Sequence, residues 1–236
     1  MDQFVTTRWS LVVDAQTEHT PHGRQALGAL CELYWYPLYA YLRRRGHPRD
    51  DAQDLTQGFF AYLLEHHTLQ RVDKQRGRFR SFLLASLNHY VANAGDWDRA
   101  QKRGGTVPHV SLDPDAAEAR YRCEPADRWT PEKAFDRSWA LTVLENVLRR
   151  VQRECETSGK GDLFEQLKGC LTGDSLEAPY RELGRSLGMT EGAVKQAVHR
   201  LRHTFREQLY AEIAATVSTP EDIDAELTYL MSALTA

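Results

Sequence analysis

The chain has 236 residues, room for one larger domain or for two compact units of about 80 residues joined by a linker. A hydrophobic fraction of 42% and a mean hydropathy of −0.56 describe a globular protein with charged helix surfaces, and no run reaches the roughly 18 apolar residues of a membrane helix. Lys and Arg number 30 against 33 Asp and Glu, a net charge of −3, which excludes a uniformly basic nucleic-acid coat but not a local basic face.

The opening stretch, MDQFVTTRWS, has an early acid and no apolar run, so no secretory signal is expected there. Cys31, Cys123, Cys155 and Cys170 form no Cys-x-x-Cys pair and read as reduced thiols of a cytoplasmic protein. No Cys/His spacing fits a zinc site. His66 and His67 are adjacent and would diverge by about 100° on a helix, so neither metal nor cofactor is expected.

Period-2 runs of β-branched residues are lacking while helical spacing recurs throughout, so the expected fold is all-α. A short amphipathic piece over 7–16 carries Trp9, Val12 and Val13. A longer helix follows over about 24–45, which Pro37 should kink or split. Gly46-His47-Pro48 ends it, and Asp50 or Asp51 begins the next, through Leu55, Phe59 and Leu63. A third runs over about 78–101. Residues 104–130, with Gly104-Gly105, Pro108, Pro114 and Pro125 and a surplus of acids, read as an extended linker. Thr130-Pro131 starts a further helix, shorter ones follow near 161–171 and 177–187, and a long one begins at Thr190. The expected division is a helical domain over 1–103, the linker over 104–130, a second helical domain over 131–207 and an acidic extension over 208–236.

From Glu207 to Ala236 the sequence has six acids and no Lys or Arg. Its last helix places Ile223, Leu227, Leu230 and Leu234 on one stripe, which must be buried against the protein's own body or against a partner.

The segment Tyr180-Arg-Glu-Leu-Gly184-Arg-Ser-Leu-Gly188-Met-Thr190-Glu-Gly-Ala-Val194-Lys has helix-turn-helix grammar. Gly184 allows close approach, Gly188 supplies the turn, and Thr190 caps the following helix. Val194, Val198, Leu201 and Phe205 fix its buried side, leaving Lys195, Gln196, His199, Arg200 and His203 outward, and no acid lies between Lys195 and Arg206. Such a face suits the major groove, where Arg or Lys pairs with guanine and Gln with adenine; a merely solvated basic face is the alternative.

Residues 71–103 hold eight bases and three acids, interleaved with Phe79, Phe82, His89, Tyr90 and Trp97. Bases that track phosphates beside flat side chains are what single-stranded nucleic acid needs, although Phe79 and Phe82 also fit a core stripe. One element read as duplex and another held open is the combination that promoter recognition requires, because an extruded base costs a few kcal/mol and needs its own pocket.

At this point the sequence resembles a bacterial sigma factor of the extracytoplasmic-function group (group IV). Asp51-Ala-Gln-Asp54-Leu-Thr-Gln57-Gly58-Phe59-Phe-Ala-Tyr-Leu-Leu is similar to the family's region 2.2, although Gly58 stands where the family often has an acid. Arg78-Phe79-Arg80-Ser-Phe82-Leu-Leu resembles region 2.3, and Glu191-Gly-Ala-Val-Lys195 is close to region 4.2 wording. Thr6-Thr7-Arg8-Trp9-Ser10 and Trp35-Tyr36-Pro37-Leu-Tyr suggest the planctomycete-type subgroup. The resemblance covers about residues 25–207 and implies a sigma domain 2, a helix-turn-helix sigma domain 4 and no enzymatic activity. By it, Asp51, Asp54 and Gln57 dock on the β′ clamp helices of core RNA polymerase. Arg80, Asn88, His89, Asn93, Asp96, Trp97, Arg99, Lys102 and Arg103 hold the melted −10 strand. Arg181, Thr190, Glu191, Lys195, Gln196, His199, Arg200, Arg202 and His203 face the −35 duplex, Arg181 on phosphate. Promoter DNA and core polymerase are the implied partners; an anti-sigma factor or a regulatory kinase is left open, and no membrane is involved.

No Ser-His-Asp order, P-loop or metal motif supports catalysis. The competing expectation is a helix-turn-helix regulator that never joins the polymerase; a helical adaptor, whose basic faces are incidental, is a third. The acidic extension raises one more expectation, that it folds over a basic DNA face and restrains it.

Overall fold

The computed structural model describes residues 21–66, 68–71, 78–101, 114–124, 129–171, 180–214, 217 and 220–235. The chain is all-α: among the described residues there are nine α-helices and no strand. In chain order they are α1 (Pro21–Arg44), α2 (Arg49–Glu65), α3 (Phe79–Gln101), α4 (Pro114–Cys123), α5 (Pro131–Thr157), α6 (Gly161–Leu167), α7 (Tyr180–Leu187), α8 (Glu191–Ala214) and α9 (Ile223–Thr235). The expected piece over 7–16 lies outside the described residues. None of these helices is long and apolar enough to cross a membrane.

Two compact units divide the chain, Met1–Thr142 with Ile213–Ala236, and Val143–Glu212. The residues of α5 and α8 are shared between them.

In the first unit, α1 packs on α2 and α2 on α3. Pro37, expected to kink or split α1, does not split it. A proline in a helix forfeits one backbone hydrogen bond, but here Leu33, Tyr34, Trp35, Leu38, Tyr39 and Leu42 are all buried around it, and that packing outweighs the loss. Aromatic edges tie the layers together. Tyr34 meets Phe79 edge-on at 5.5 Å between centroids, Tyr41 meets Phe135 at 6.4 Å, and Phe59 lies 5.8 Å from Tyr90.

The stretch expected to be an extended linker forms α4 over Pro114–Cys123. Its acids engage the arginines that end α1. Buried Glu118 accepts from the Tyr39 hydroxyl at 2.5 Å and from Arg43 at 3.1 Å. Glu124 accepts from the Tyr36 hydroxyl at 2.6 Å and pairs with Arg44 at 3.7 Å. The Tyr121 ring lies under Arg43 and the Tyr36 ring under Arg120, at 4.8 and 4.1 Å. A surplus of acids, read locally as a loop signal, is here the complement of a distant cluster of bases.

Burial weighs against the Glu118 carboxylate, but the Tyr39 hydroxyl, Arg43 and Arg122 more than offset it and hold the carboxyl below its ordinary range. The Tyr39 phenol moves the other way, up to about 12, through burial and its bond to Glu118.

The second unit has one core, in which Val147 and Val151 of α5, Phe164 and Leu167 of α6, Cys170, and Val194, Ala197, Val198 and Leu201 of α8 meet. Phe205 and the α7 residues Leu183 and Leu187 pack against it, half-buried.

The acidic extension belongs to the first unit, where Ile223, Glu226 and Leu230 of α9 are buried.

Candidate nucleic-acid interface

The second unit carries the helix-turn-helix corner. Helix α7 ends where Gly188 takes φ +63°, a left-handed conformation that glycine adopts without penalty. The Met189 amide then donates back to the Gly184 carbonyl at 2.8 Å. A Cβ on Gly184 would stand 2.6 Å from the Met189 carbonyl oxygen, so α7 can approach the turn this closely only without a side chain there. Thr190 caps α8, its hydroxyl accepting from the Ala193 amide at 3.2 Å, which satisfies one of the free donors at the helix start.

With Val194, Val198 and Leu201 buried, Lys195, Gln196, His199, Arg200 and His203 are all exposed on the opposite side. Arg181 of α7 is exposed as well, and Glu191 stands between the two helices. It pairs with Lys195 at 2.8 Å and with Arg181 at 3.9 Å. The Lys195 hydrogen bond and charge, with Arg181, hold the Glu191 carboxyl below its ordinary range. Glu191 therefore orients two cations rather than meeting an anion itself. His203 lies 3.1 Å from Glu207 one turn on.

Arg202 departs from its expected role. Its Nε donates to the Cys170 carbonyl at 2.9 Å, securing the tight turn Lys168–Cys170 that follows α6. At seven residues from Lys195 it stands at the margin of the outer face, next to the core residue Val198, and the nearest acceptor captures it.

The first unit holds the two other expected sites. Asp51, Asp54 and Gln57 are exposed on α2, spaced by three residues so that they share one side. Behind them, Ala52, Thr56, Phe59 and Leu63 are buried.

Of the residues expected to hold a single strand, two of the described ones, Arg80 and Asn88, are engaged within the first unit. Arg80 is buried, and it does not face solvent. Glu226 of α9 accepts from both of its terminal nitrogens, Asp136 lies 3.5 Å from its Nε, and the Trp139 and Tyr229 rings stand 4.5 and 4.6 Å from its guanidinium carbon. Arg78, exposed, reaches the same Glu226 carboxylate at 2.9 Å. Burial and the Arg78 charge both weigh against the Arg80 cation, so the carboxylate is what permits a guanidinium at this depth. Removing one partner of a buried pair typically costs about 3–5 kcal/mol.

Asn88 is also taken. It accepts from the Tyr41 hydroxyl at 2.9 Å and from Arg45, tying α3 to the end of α1. His89 is exposed and Asn93 half-exposed, with the Asn93 amide donating to the His89 carbonyl at 2.7 Å. Lys102 and Arg103 lie outside the described residues, as do the side chains of Asp96, Trp97 and Arg99.

The chain matches no family model, no curated protein and no solved structure. Its own geometry therefore carries the functional argument.

Four residues around Arg80 escaped the sequence reading: Asp136, Trp139, Glu226 and Tyr229. One signal was present. Glu226 falls three residues after Ile223 and four before Leu230, on the apolar stripe of its helix, and an acid on a buried stripe requires a cation opposite.

Proposed function

We propose that the chain is a promoter-specificity subunit of the extracytoplasmic-function sigma type, a non-enzymatic, cytoplasmic protein that joins core RNA polymerase and directs where transcription starts. The observation that carries the reading is the capped α8, whose exposed Lys195, Gln196, His199 and Arg200 stand opposite its buried stripe. That helix enters the major groove of a −35 element. Lys195, Arg200 and Gln196 address base edges, each good contact contributing about 1–3 kcal/mol of discrimination, and Arg181 takes a phosphate. On α2 the exposed Asp51, Asp54 and Gln57 offer carboxylates and an amide to the polymerase clamp. His89 and Asn93, exposed and half-exposed on α3, remain the described side chains available to a melted −10 strand.

One observation favours a second reading, a helix-turn-helix regulator acting without polymerase: Arg80 and Asn88, expected on the single strand, are engaged inside the first unit. Transcription reconstituted from purified chain, core polymerase and a randomised promoter pool separates the two. Under the first reading, selected templates share two spaced elements and the Asp51→Arg/Asp54→Arg variant loses polymerase association. Selection of duplex sites with no dependence on polymerase would overturn it in favour of the second.

A further inference from the structure

The carboxylate of Glu226 is held as a polyanion would be. Two guanidiniums converge on it, from Arg78 and Arg80, and the Trp139 indole lies beneath Arg80. Cations beside an aromatic face form the surface that grips a single strand by phosphate contact and base stacking. Among the described residues, α9 lays Glu226 and Tyr229 against this surface, and its outer side carries the large apolar Met231, 55% exposed.

We propose that α9 is an autoinhibitory plug, with Glu226 standing in for a backbone phosphate of single-stranded DNA, and that the DNA competes with α9 for Arg78 and Arg80. The choice of single-stranded DNA rests on the proposed function; the plug itself rests on the geometry alone.

The exchange is physically balanced. A buried ion pair adds little net stability, because desolvation of the two ions offsets their attraction. An uncompensated guanidinium is costly, so α9 does not leave the site empty. A phosphate that arrives as the carboxylate leaves keeps both cations paired. Asp136, 3.5 Å from Arg80, stays behind on α5 and keeps one carboxylate against two guanidiniums. Tyr229, which donates to Asp136 and lies over Arg80, departs with α9. The helix is held by Ile223, Glu226 and Leu230 as its buried residues, with the Leu234 carbonyl accepting from Arg137 at 2.5 Å.

The test uses the full-length chain, with fluorescence anisotropy of a labelled single-stranded oligonucleotide and, in parallel, of labelled inorganic polyphosphate. Leu230→Ala loosens α9 without touching a charge; Glu226→Gln removes the stand-in. Circular dichroism checks that each remains helical. Both variants should bind the oligonucleotide about tenfold more tightly, since apparent affinity follows the open fraction. The log–log salt slope should steepen by about 1.4, for two phosphates at about 0.7 each, and adding Arg78→Ala to Leu230→Ala should remove about half of that change. A gain for polyphosphate alone upholds the plug and counts against the promoter reading. Unchanged binding of both probes by helical Leu230→Ala overturns the plug whatever transcription assays find. Unfolding of the whole first unit in Leu230→Ala overturns it too, because a plug must leave a folded host behind.

Discussion

The Tyr90 hydroxyl of α3 sits against the backbone of Gly58 in α2, where a Cβ on Gly58 would collide with it. Tyr90 is itself buried, with Phe59 and Tyr62 at 5.8 and 5.4 Å between centroids, so the ring cannot simply swing aside. Gly58 is thus the place where α3 seats on α2.

Gly58→Ala should then destabilise the chain by about 1–3 kcal/mol, the usual range for overpacking. In a Tyr90→Phe background the collision is gone, and the same change should become neutral or stabilising by up to about 1 kcal/mol, the helix preference of alanine over glycine. Urea unfolding of the four proteins of the cycle measures this. An equal cost in both backgrounds would refute the role assigned to Tyr90.

The helix-turn-helix corner supports a sharper contrast between glycines. Gly184→Ala meets the Met189 carbonyl oxygen, a backbone atom with little room to move, whereas a Cβ on Gly192 in the first turn of α8 meets nothing within 4 Å. The first variant should lose about 1–3 kcal/mol and the second should lose nothing or gain up to about 1 kcal/mol. Thr190→Ala, which removes the α8 cap, should cost about 0.5–2 kcal/mol. Thermal melts of the three variants rank them, and Gly192→Ala falling below Gly184→Ala would undo the argument.

Local spacing made this corner readable. Gly184, Gly188 and Thr190 are tied to one another within seven residues, and the stripe Val194, Val198, Leu201 and Phe205 recurs with the helical period. The partners of Arg80 and of the acids in α4 are set at long range instead. Glu226 is 146 positions from Arg80, and Glu118 is 79 from Tyr39. No periodicity links such residues, so Arg80, which looked outward as sequence, turned inward in the fold. That α1 continues unsplit through Pro37 was hidden for a related reason: the cost of proline is local, and the burial that offsets it comes from α1's whole surroundings.

Two neighbouring arginines of α8 should separate binding from stability. Arg200 is exposed on the outer face, while Arg202 donates to the Cys170 carbonyl. Arg200→Ala should leave the melting temperature unchanged and flatten the salt dependence of duplex binding by about 0.9 in log–log slope, one phosphate's share, if it clamps backbone, or relax preference at one base pair if it reads an edge. Arg202→Ala should lower stability by about 1 kcal/mol, a typical hydrogen-bond contribution. Titrations at several salt concentrations, paired with melts, test both; a stability loss confined to Arg200→Ala would reverse the assignment.

Finally, α4 should be acid-sensitive through Glu118. Its carboxyl is held below the ordinary value of 4.5 by Tyr39, Arg43 and Arg122 despite burial. A carboxyl whose folded pKa is depressed contributes stability that is fully present above its unfolded pKa and lost as pH falls through the folded one. The wild-type chain should therefore lose stability below about pH 4.5 more steeply than Glu118→Gln, which has no proton to take up at that position. At pH 7 Glu118→Gln is the less stable of the two, because Arg43 and Arg122 lose their carboxylate. The melting-temperature difference between the two proteins, followed from pH 7 to pH 3, should stay level down to about pH 5 and shrink below about pH 4.5. A difference that stays constant across that window would mean that Glu118 titrates alike in the folded and unfolded chains, and that the arginines at the end of α1 do not hold α4 by charge.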